Sequence, residues 1–171
     1  MYDEEAHERA LEKALKFATA GAKDTWQGRI ADVTCIEVTL HGLQDMLPIK
    51  VDRIETMVCG LGGGFSGTGL VCGAVSGAVI AIGMDVAGLT TNPVEARYHI
   101  EMATQKFIQR FERAFGSTLC RQITGLNFLK DPEARRKAQE MVAAGTLKCN
   151  ECIAFAIRNP LPSEEGVLAQ K

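Results

Sequence analysis

The sequence lacks an excess of charge of either sign. Its 171 residues carry 19 basic and 21 acidic side chains, a net charge of −2, so a nucleic-acid-binding surface is not expected. It also lacks the cysteine density of a disulfide scaffold, since six cysteines in 171 residues fall well below the roughly 8–10% of such chains. Hydrophobic residues make up 46% and charged residues 23%, values typical of a globular protein that exclude the disordered and fibrous classes.

The sequence also predicts neither a secretory leader nor a membrane span. The first residues, MYDEEAHERALEKALKF, are acidic where a signal peptide has a basic start and an apolar run. Residues 59–84 carry no charge over 26 positions, but nine of these are Gly. The apolar part, 70–84, has 15 residues, whereas a span needs about 20. We therefore expect a cytoplasmic protein without membrane contact, in a reducing compartment where structural disulfides are rare.

Hydrophobic periodicity predicts an all-α fold, because apolar residues recur at helical spacing and few segments alternate with period two. Thr34 with Glu37 has the form of a capping box, and Asn92-Pro93 opens a long amphipathic helix that Gly116 ends. The expected architecture is a single compact multi-helix domain. Its predicted helices cover residues 3–20, 34–47, 51–58, 70–84, 92–115, 117–124, 131–145 and 146–158.

A Gly-rich segment at 60–69 precedes the uncharged helix at 70–84. Gly at this density destabilises helix and strand alike, so we predict a loop that leads into a buried helix. Within that helix Gly73, Gly77 and Ala81 are four residues apart and would form a smooth groove that another backbone can approach closely. This groove is one reason to expect a homodimer.

Four of the six cysteines fall in the first turn of a predicted helix, each on a different helix. Thr34, Ser117 and Thr146 are the expected caps of three of these helices. Helix N-termini carry a partial positive charge that stabilises a thiolate and lowers the cysteine pKa. Thiolate is the form that binds metals and attacks disulfides, although a cysteine can also be an inert buried side chain. The four are Cys35, Cys72, Cys120 and Cys149.

The other two cysteines give a weaker signal. Cys59 lies at the end of a predicted helix, and Cys152 forms a single C-x-x-C with Cys149. A zinc site usually needs two such pairs, and a thioredoxin-like motif needs a βαβ context. Because Ile153 follows Cys152, the pair is not a covalent haem motif either.

Three segments carry a resemblance to a known family. Residues 62–64 are three glycines, residues 72–77 read CGAVSG, and residues 115–121 read FGSTLCR. Over residues 30–158 the sequence resembles the C_GCAxxG_C_C family of redox-active proteins. The chain then divides into an N-terminal helix and connector at 1–29, the cysteine-containing redox domain at 30–158, and a C-terminal tail at 159–171. The family's four cysteines match Cys35, Cys72, Cys120 and Cys149, with Cys152 as an alternative to the last.

The resemblance implies redox activity. We expect the four thiolates to ligate an iron–sulfur cluster, most simply [2Fe–2S], for electron transfer with a redox partner protein. The split-Soret cytochromes c, a related group, are dimers with c-type haem and an iron–sulfur centre, which again suggests a homodimer. Covalent haem does not carry over, because C-x-x-C-H is absent. Two alternatives remain: metal-free thiol–disulfide exchange, and a structural zinc site or interaction role without redox chemistry.

Overall fold

The computed structural model describes residues 2–21, 25–26, 29–30, 33–144, 146–159 and 161–166, and it confirms the predicted all-α fold. A 3₁₀ turn spans Cys59–Leu61, and two short antiparallel strands, β1 at Thr25–Trp26 and β2 at Arg29–Ile30, lie between the first two helices. The helices are α1 Glu4–Gly21, α2 Cys35–Leu43, α3 Ile54–Val58, α4 Gly62–Phe65, α5 Gly73–Leu89, α6 Pro93–Phe115, α7 Cys120–Thr124, α8 Ala134–Ala143 and α9 Cys149–Arg158.

The core forms around α2, which packs against α1, α5 and α9. Ile36 and Leu40 of α2 and Phe107 and Phe111 of α6 are among its largest fully buried side chains. Each such side chain stabilises the fold by about 1.5–3 kcal/mol. No helix in the described ranges is both long enough and apolar enough to cross a bilayer.

The small-residue groove of α5 is filled by α2 of the same chain. A Cβ atom on Gly73 would lie 2.4 Å from the Cys35 Sγ, and one on Gly77 would lie 3.0 Å from the Thr39 Cβ. The predicted close approach therefore exists, but within one chain. The groove gives no support to a homodimer, which stays a prediction.

The two chain ends pack against the same core. Ala10, Leu11 and Ala14 of α1 are buried. The fully buried His7 hydrogen-bonds through Nδ1 to the Ile157 carbonyl and lies 2.8 Å through Nε2 from Glu164. Residues 161–166 of the expected tail are thus held on the helices.

In the uncharged part of the chain two predictions differ from the structure. The helix expected to end before Asp85 continues to Leu89, because Asp85 is buried and accepts hydrogen bonds from the Ser163 N–H at 2.7 Å and Oγ–H at 2.8 Å. The Gly-rich segment, expected as a loop, contains the 3₁₀ turn and the single turn α4. Its irregularity is nevertheless real, since Gly63 and Gly64 have φ of +61° and +66°.

Candidate cysteine site

The four predicted cysteines all lie at helix starts. Cys35, Cys120 and Cys149 are the first residues of α2, α7 and α9, and Cys72 immediately precedes α5. Two of the expected caps are wrong. Leu119 replaces Ser117 as the residue before α7, and Lys148 replaces Thr146 as the residue before α9. In both cases the helix begins later than predicted, at the cysteine itself.

A short antiparallel pairing holds Cys72 beside Cys120. The Cys72 N–H donates to the Thr118 carbonyl at 2.8 Å, and the Cys120 N–H donates to the Leu70 carbonyl at 2.7 Å. An isolated bridge between Val71 and Leu119 completes the pairing. Two cysteines that are 48 positions apart in the sequence are therefore fixed by backbone hydrogen bonds.

The predicted capping interaction and the Gly-rich segment position Cys35. Glu37 reaches back to accept hydrogen bonds from the Thr34 N–H and Oγ1–H, both at 2.7 Å. Gly62 packs on Thr34 so closely that a Cβ atom there would lie 2.3 Å from the Thr34 Cβ. The backbone N–H groups of the next residue, Gly63, and of Gly73 act on the Cys35 thiol and lower its pKa, which Cys72 and burial raise more strongly. At Gly73 the absence of a side chain is required, because a Cβ atom there would lie 2.4 Å from the Cys35 Sγ.

The thiols of these cysteines form one interacting group. The Cys72 thiol is the largest influence on the pKa of Cys35, and the Cys152 thiol is the largest influence on the pKa of Cys72. Cys149 interacts electrostatically with both Cys35 and Cys120, and Cys120 with Cys35. The structure thus brings the four predicted cysteines together with a fifth, Cys152. All six cysteines are free thiols, and Cys59 is solvent-exposed.

The expected lowering of the cysteine pKa values is wrong for the metal-free protein. The neighbouring Cys72 thiol and then burial raise the pKa of Cys35 well above its ordinary value. The pKa of Cys72 rises to about 12, first through Cys152, and that of Cys149 to about 12, first through burial. Burial also raises the pKa of Cys120. Crowded, desolvated thiols disfavour the thiolate more than the backbone N–H groups favour it.

Sequence reasoning undervalued Cys152. Cys152 is 1% exposed, and its thiol acts on the Cys72 thiol. Cys149, three residues earlier at the start of α9, is partly exposed. The single C-x-x-C spacing was the available signal. Three residues of helix place both thiols on adjacent parts of one face.

The thiols do not form a compact site for one ion. Within the ranges that the structure describes, no group of three or more His, Cys, Asp or Glu side chains is arranged to hold a metal ion. One tetrahedral zinc ion with Zn–S bonds of about 2.3 Å needs its sulfurs about 3.8 Å apart. Four cysteine thiolates are the donor set of structural zinc sites and of iron–sulfur clusters alike, so the residue types present suit either kind of centre.

The comparison with known families decides the classification. The family described as "putative redox-active protein (C_GCAxxG_C_C)" matches residues 33–159. The chain belongs to this family. The match covers every cysteine of the interacting group and confirms the resemblance predicted from the sequence. No curated protein and no solved structure matches the chain.

Proposed function

We propose that this member of the C_GCAxxG_C_C family is an electron-transfer protein whose Cys35, Cys72, Cys120 and Cys149 hold an iron–sulfur cluster, [2Fe–2S]. The observation that carries the proposal is the meeting of thiols from the starts of α2, α5, α7 and α9. A bound cluster would supply a one-electron step. The chain would supply four thiolates, exclude water around Cys72 and Cys120, and donate backbone N–H groups to sulfur.

Those backbone N–H groups give the chain a means of setting the reduction potential. Hydrogen bonds to cluster sulfurs and burial are two of the factors that determine it. The backbone N–H groups of Gly63 and Gly73 favour the thiolate of Cys35, and that of Ala74 favours the thiolate of Cys72. A bound metal centre would have to deprotonate these thiols against their raised pKa values, and its positive charge would supply the stabilisation that the thiolates lack in the metal-free protein.

Anaerobic purification or reconstitution, followed by iron and labile-sulfide assays per chain and a visible spectrum, tests the proposal. We expect a coloured protein that dithionite bleaches. Cys35→Ser, Cys72→Ser and Cys120→Ser should each abolish or strongly weaken cluster binding, while the exposed Cys59→Ser serves as the matched control and should bind normally. A colourless protein without iron after reconstitution would contradict the proposal, and loss of the cluster in Cys59→Ser would contradict the ligand set.

The fourth ligand is tested by comparing two variants on one helix. Cys149→Ser should lose the cluster, and Cys152→Ser should retain it with lower stability, because Cys152 is buried in the core. If Cys152→Ser loses the cluster and Cys149→Ser retains it, Cys152 is the fourth ligand and Cys149 does not bind the cluster. Circular dichroism of both metal-free variants separates unfolding from ligand loss.

A second candidate function, thiol–disulfide exchange, is favoured by the contacts of Cys72 with both Cys35 and Cys152. Two of these thiols would form one disulfide and pass two electrons and two protons to a partner disulfide, which becomes two thiols. The pKa of about 12 at Cys72 opposes this, since thiolate is the attacking form. A difference of two titratable thiols between oxidised and reduced metal-free protein, without iron, would favour it over the cluster.

A further inference from the structure

A mixed apolar and cationic surface lies beside the cysteine site. Its apolar part is the exposed side chains of Phe65 (41%), Leu70 (44%) and Leu129 (69%). Its cationic part is Arg121, Lys130 and Lys148, all of which are exposed. We call these six residues the docking surface.

Backbone contacts join the docking surface to the site. The Arg121 N–H donates to the Gly69 carbonyl at 3.1 Å, so Arg121 lies beside Leu70 in the pairing that holds Cys72 and Cys120. A Cβ atom on Gly67 would lie 3.0 Å from the Phe128 Cβ, which brings the turn that carries Leu129 and Lys130 against the Gly-rich segment. Phe65 and Leu70 of the docking surface thus belong to the same Gly-rich segment as Gly63, whose backbone N–H acts on the Cys35 thiol.

Two of the cations directly adjoin the cysteines. Arg121 follows Cys120 and Lys148 precedes Cys149, and these two cysteines interact with each other. Two acids close to Lys130 in the sequence form salt bridges within the described residues, Asp131 with Lys137 at 2.7 Å and Glu133 with Arg136 at 2.7 Å. The salt bridges found there leave the three cations of the docking surface without an acidic partner.

An unusual backbone conformation presents the aromatic side chain of this surface. Phe65 and the following Ser66 have φ of +60° and +53°, the left-handed region that bulky residues rarely adopt. The Ser66 Oγ–H donates to the Gly60 carbonyl at 2.9 Å and helps to hold this conformation. An exposed Phe in a strained turn is a cost that folding alone does not explain.

We infer that the docking surface binds an acidic electron-carrier protein, an inference that rests on the proposed electron-transfer function. Phe65, Leu70 and Leu129 supply exposed apolar area on two segments that meet at the Gly67–Phe128 contact, and the three unneutralised cations are complementary to acidic side chains on the partner. Redox encounter complexes are small and weak and depend on such charge complementarity. A partner seated here would lie beside Cys120 and Cys149.

The test uses two acidic electron carriers as probes, a flavodoxin and a [2Fe–2S] ferredoxin, with a basic cytochrome c as the control of opposite charge. Calorimetric titration measures the affinity of metal-free and of reconstituted protein at about 10 mM and about 1 M salt, where the Debye lengths are roughly 30 and 3 Å. We expect an acidic probe to bind at low salt and dissociate at high salt. Amide hydrogen exchange should be slowed at residues 62–70 and 127–130.

Matched double variants separate local charge from net charge. Arg121→Gln/Lys148→Gln should weaken binding about tenfold at low salt. Arg97→Gln/Lys106→Gln removes one arginine and one lysine from exposed positions of α6 and should weaken it less than about twofold. Failure of both acidic probes, equal effects of the two variants, or protection elsewhere would overturn the inference. Iron and sulfide assays decide the cluster separately, so either proposal can fail alone.

Discussion

Replacing Gly73 by Ala should damage the cysteine site more than it damages the fold. The new Cβ would lie 2.4 Å from the Cys35 Sγ, 3.1 Å from the Ile36 N and 3.4 Å from the Ile36 Cβ. Nonbonded heavy atoms prefer about 3.5–4.0 Å, so the sulfur must move by about 1 Å or more. Metal–ligand distances tolerate only about 0.2 Å, so the thiol would leave the position from which it can bind.

The expected change in unfolding free energy is smaller. Overpacking costs about 1–3 kcal/mol, and rotation of the Cys35 side chain relieves part of it. Ala also improves the helix by up to about 1 kcal/mol relative to Gly. We therefore expect Gly73→Ala to lose about 1 kcal/mol in urea denaturation of the metal-free protein. Iron and sulfide per chain after reconstitution should fall at least severalfold.

Two other glycines of α5 provide matched controls. At Gly83 a Cβ meets no atom within 4 Å, so Gly83→Ala should stabilise the protein by about 0.5–1 kcal/mol and leave the cluster content unchanged. At Gly77 a Cβ would meet the Thr39 Cβ at 3.0 Å but no thiol, so Gly77→Ala should cost stability with the cluster retained. Gly73→Ala with normal cluster content and stability would refute the reasoning.

Two further predictions concern the packed C-terminal segment. Ser163→Ala removes the 2.8 Å hydrogen bond to Asp85 and should cost about 2 kcal/mol in urea denaturation. Burial raises the pKa of Asp85 in the folded protein. The stability that the protonated Asp85 carboxyl contributes is therefore fully present below the ordinary pKa of 3.8 and is lost as the pH rises through the raised pKa. The cost of Ser163→Ala should accordingly be larger at pH 8 than at pH 4, and an equal cost at both would contradict this. His7→Ala breaks a buried pair with Glu164 and should cost about 3 kcal/mol, whereas Arg9→Ala, which breaks an exposed pair, should cost less than about 0.5 kcal/mol. Similar losses of unfolding free energy in the two variants would contradict the burial of the His7–Glu164 pair.

Local chemistry explains what could be predicted about the helices. The α6 bounds follow from Asn92, whose side chain accepts from the Val94 N–H at 3.0 Å, and from Gly116, whose φ of +76° ends the helix. Both residues act on adjacent backbone groups, so the helix ends can be predicted from the sequence without knowledge of tertiary contacts. The continuation of α5 past Asp85 could not be predicted in this way, because the hydrogen bonds that allow Asp85 to be buried come from Ser163, which is distant in the sequence.

The sequence by itself determined the helical class, the family, and the position of four cysteines at helix starts, because periodicity, capping and motif spacing act over a few residues. Tertiary structure alone decided the rest. It brought Cys152 against Cys72, filled the α5 groove with α2, and reversed the expected direction of the thiol pKa values. Burial and the approach of other thiols are properties of packed elements, and no local pattern contains the distances that set them.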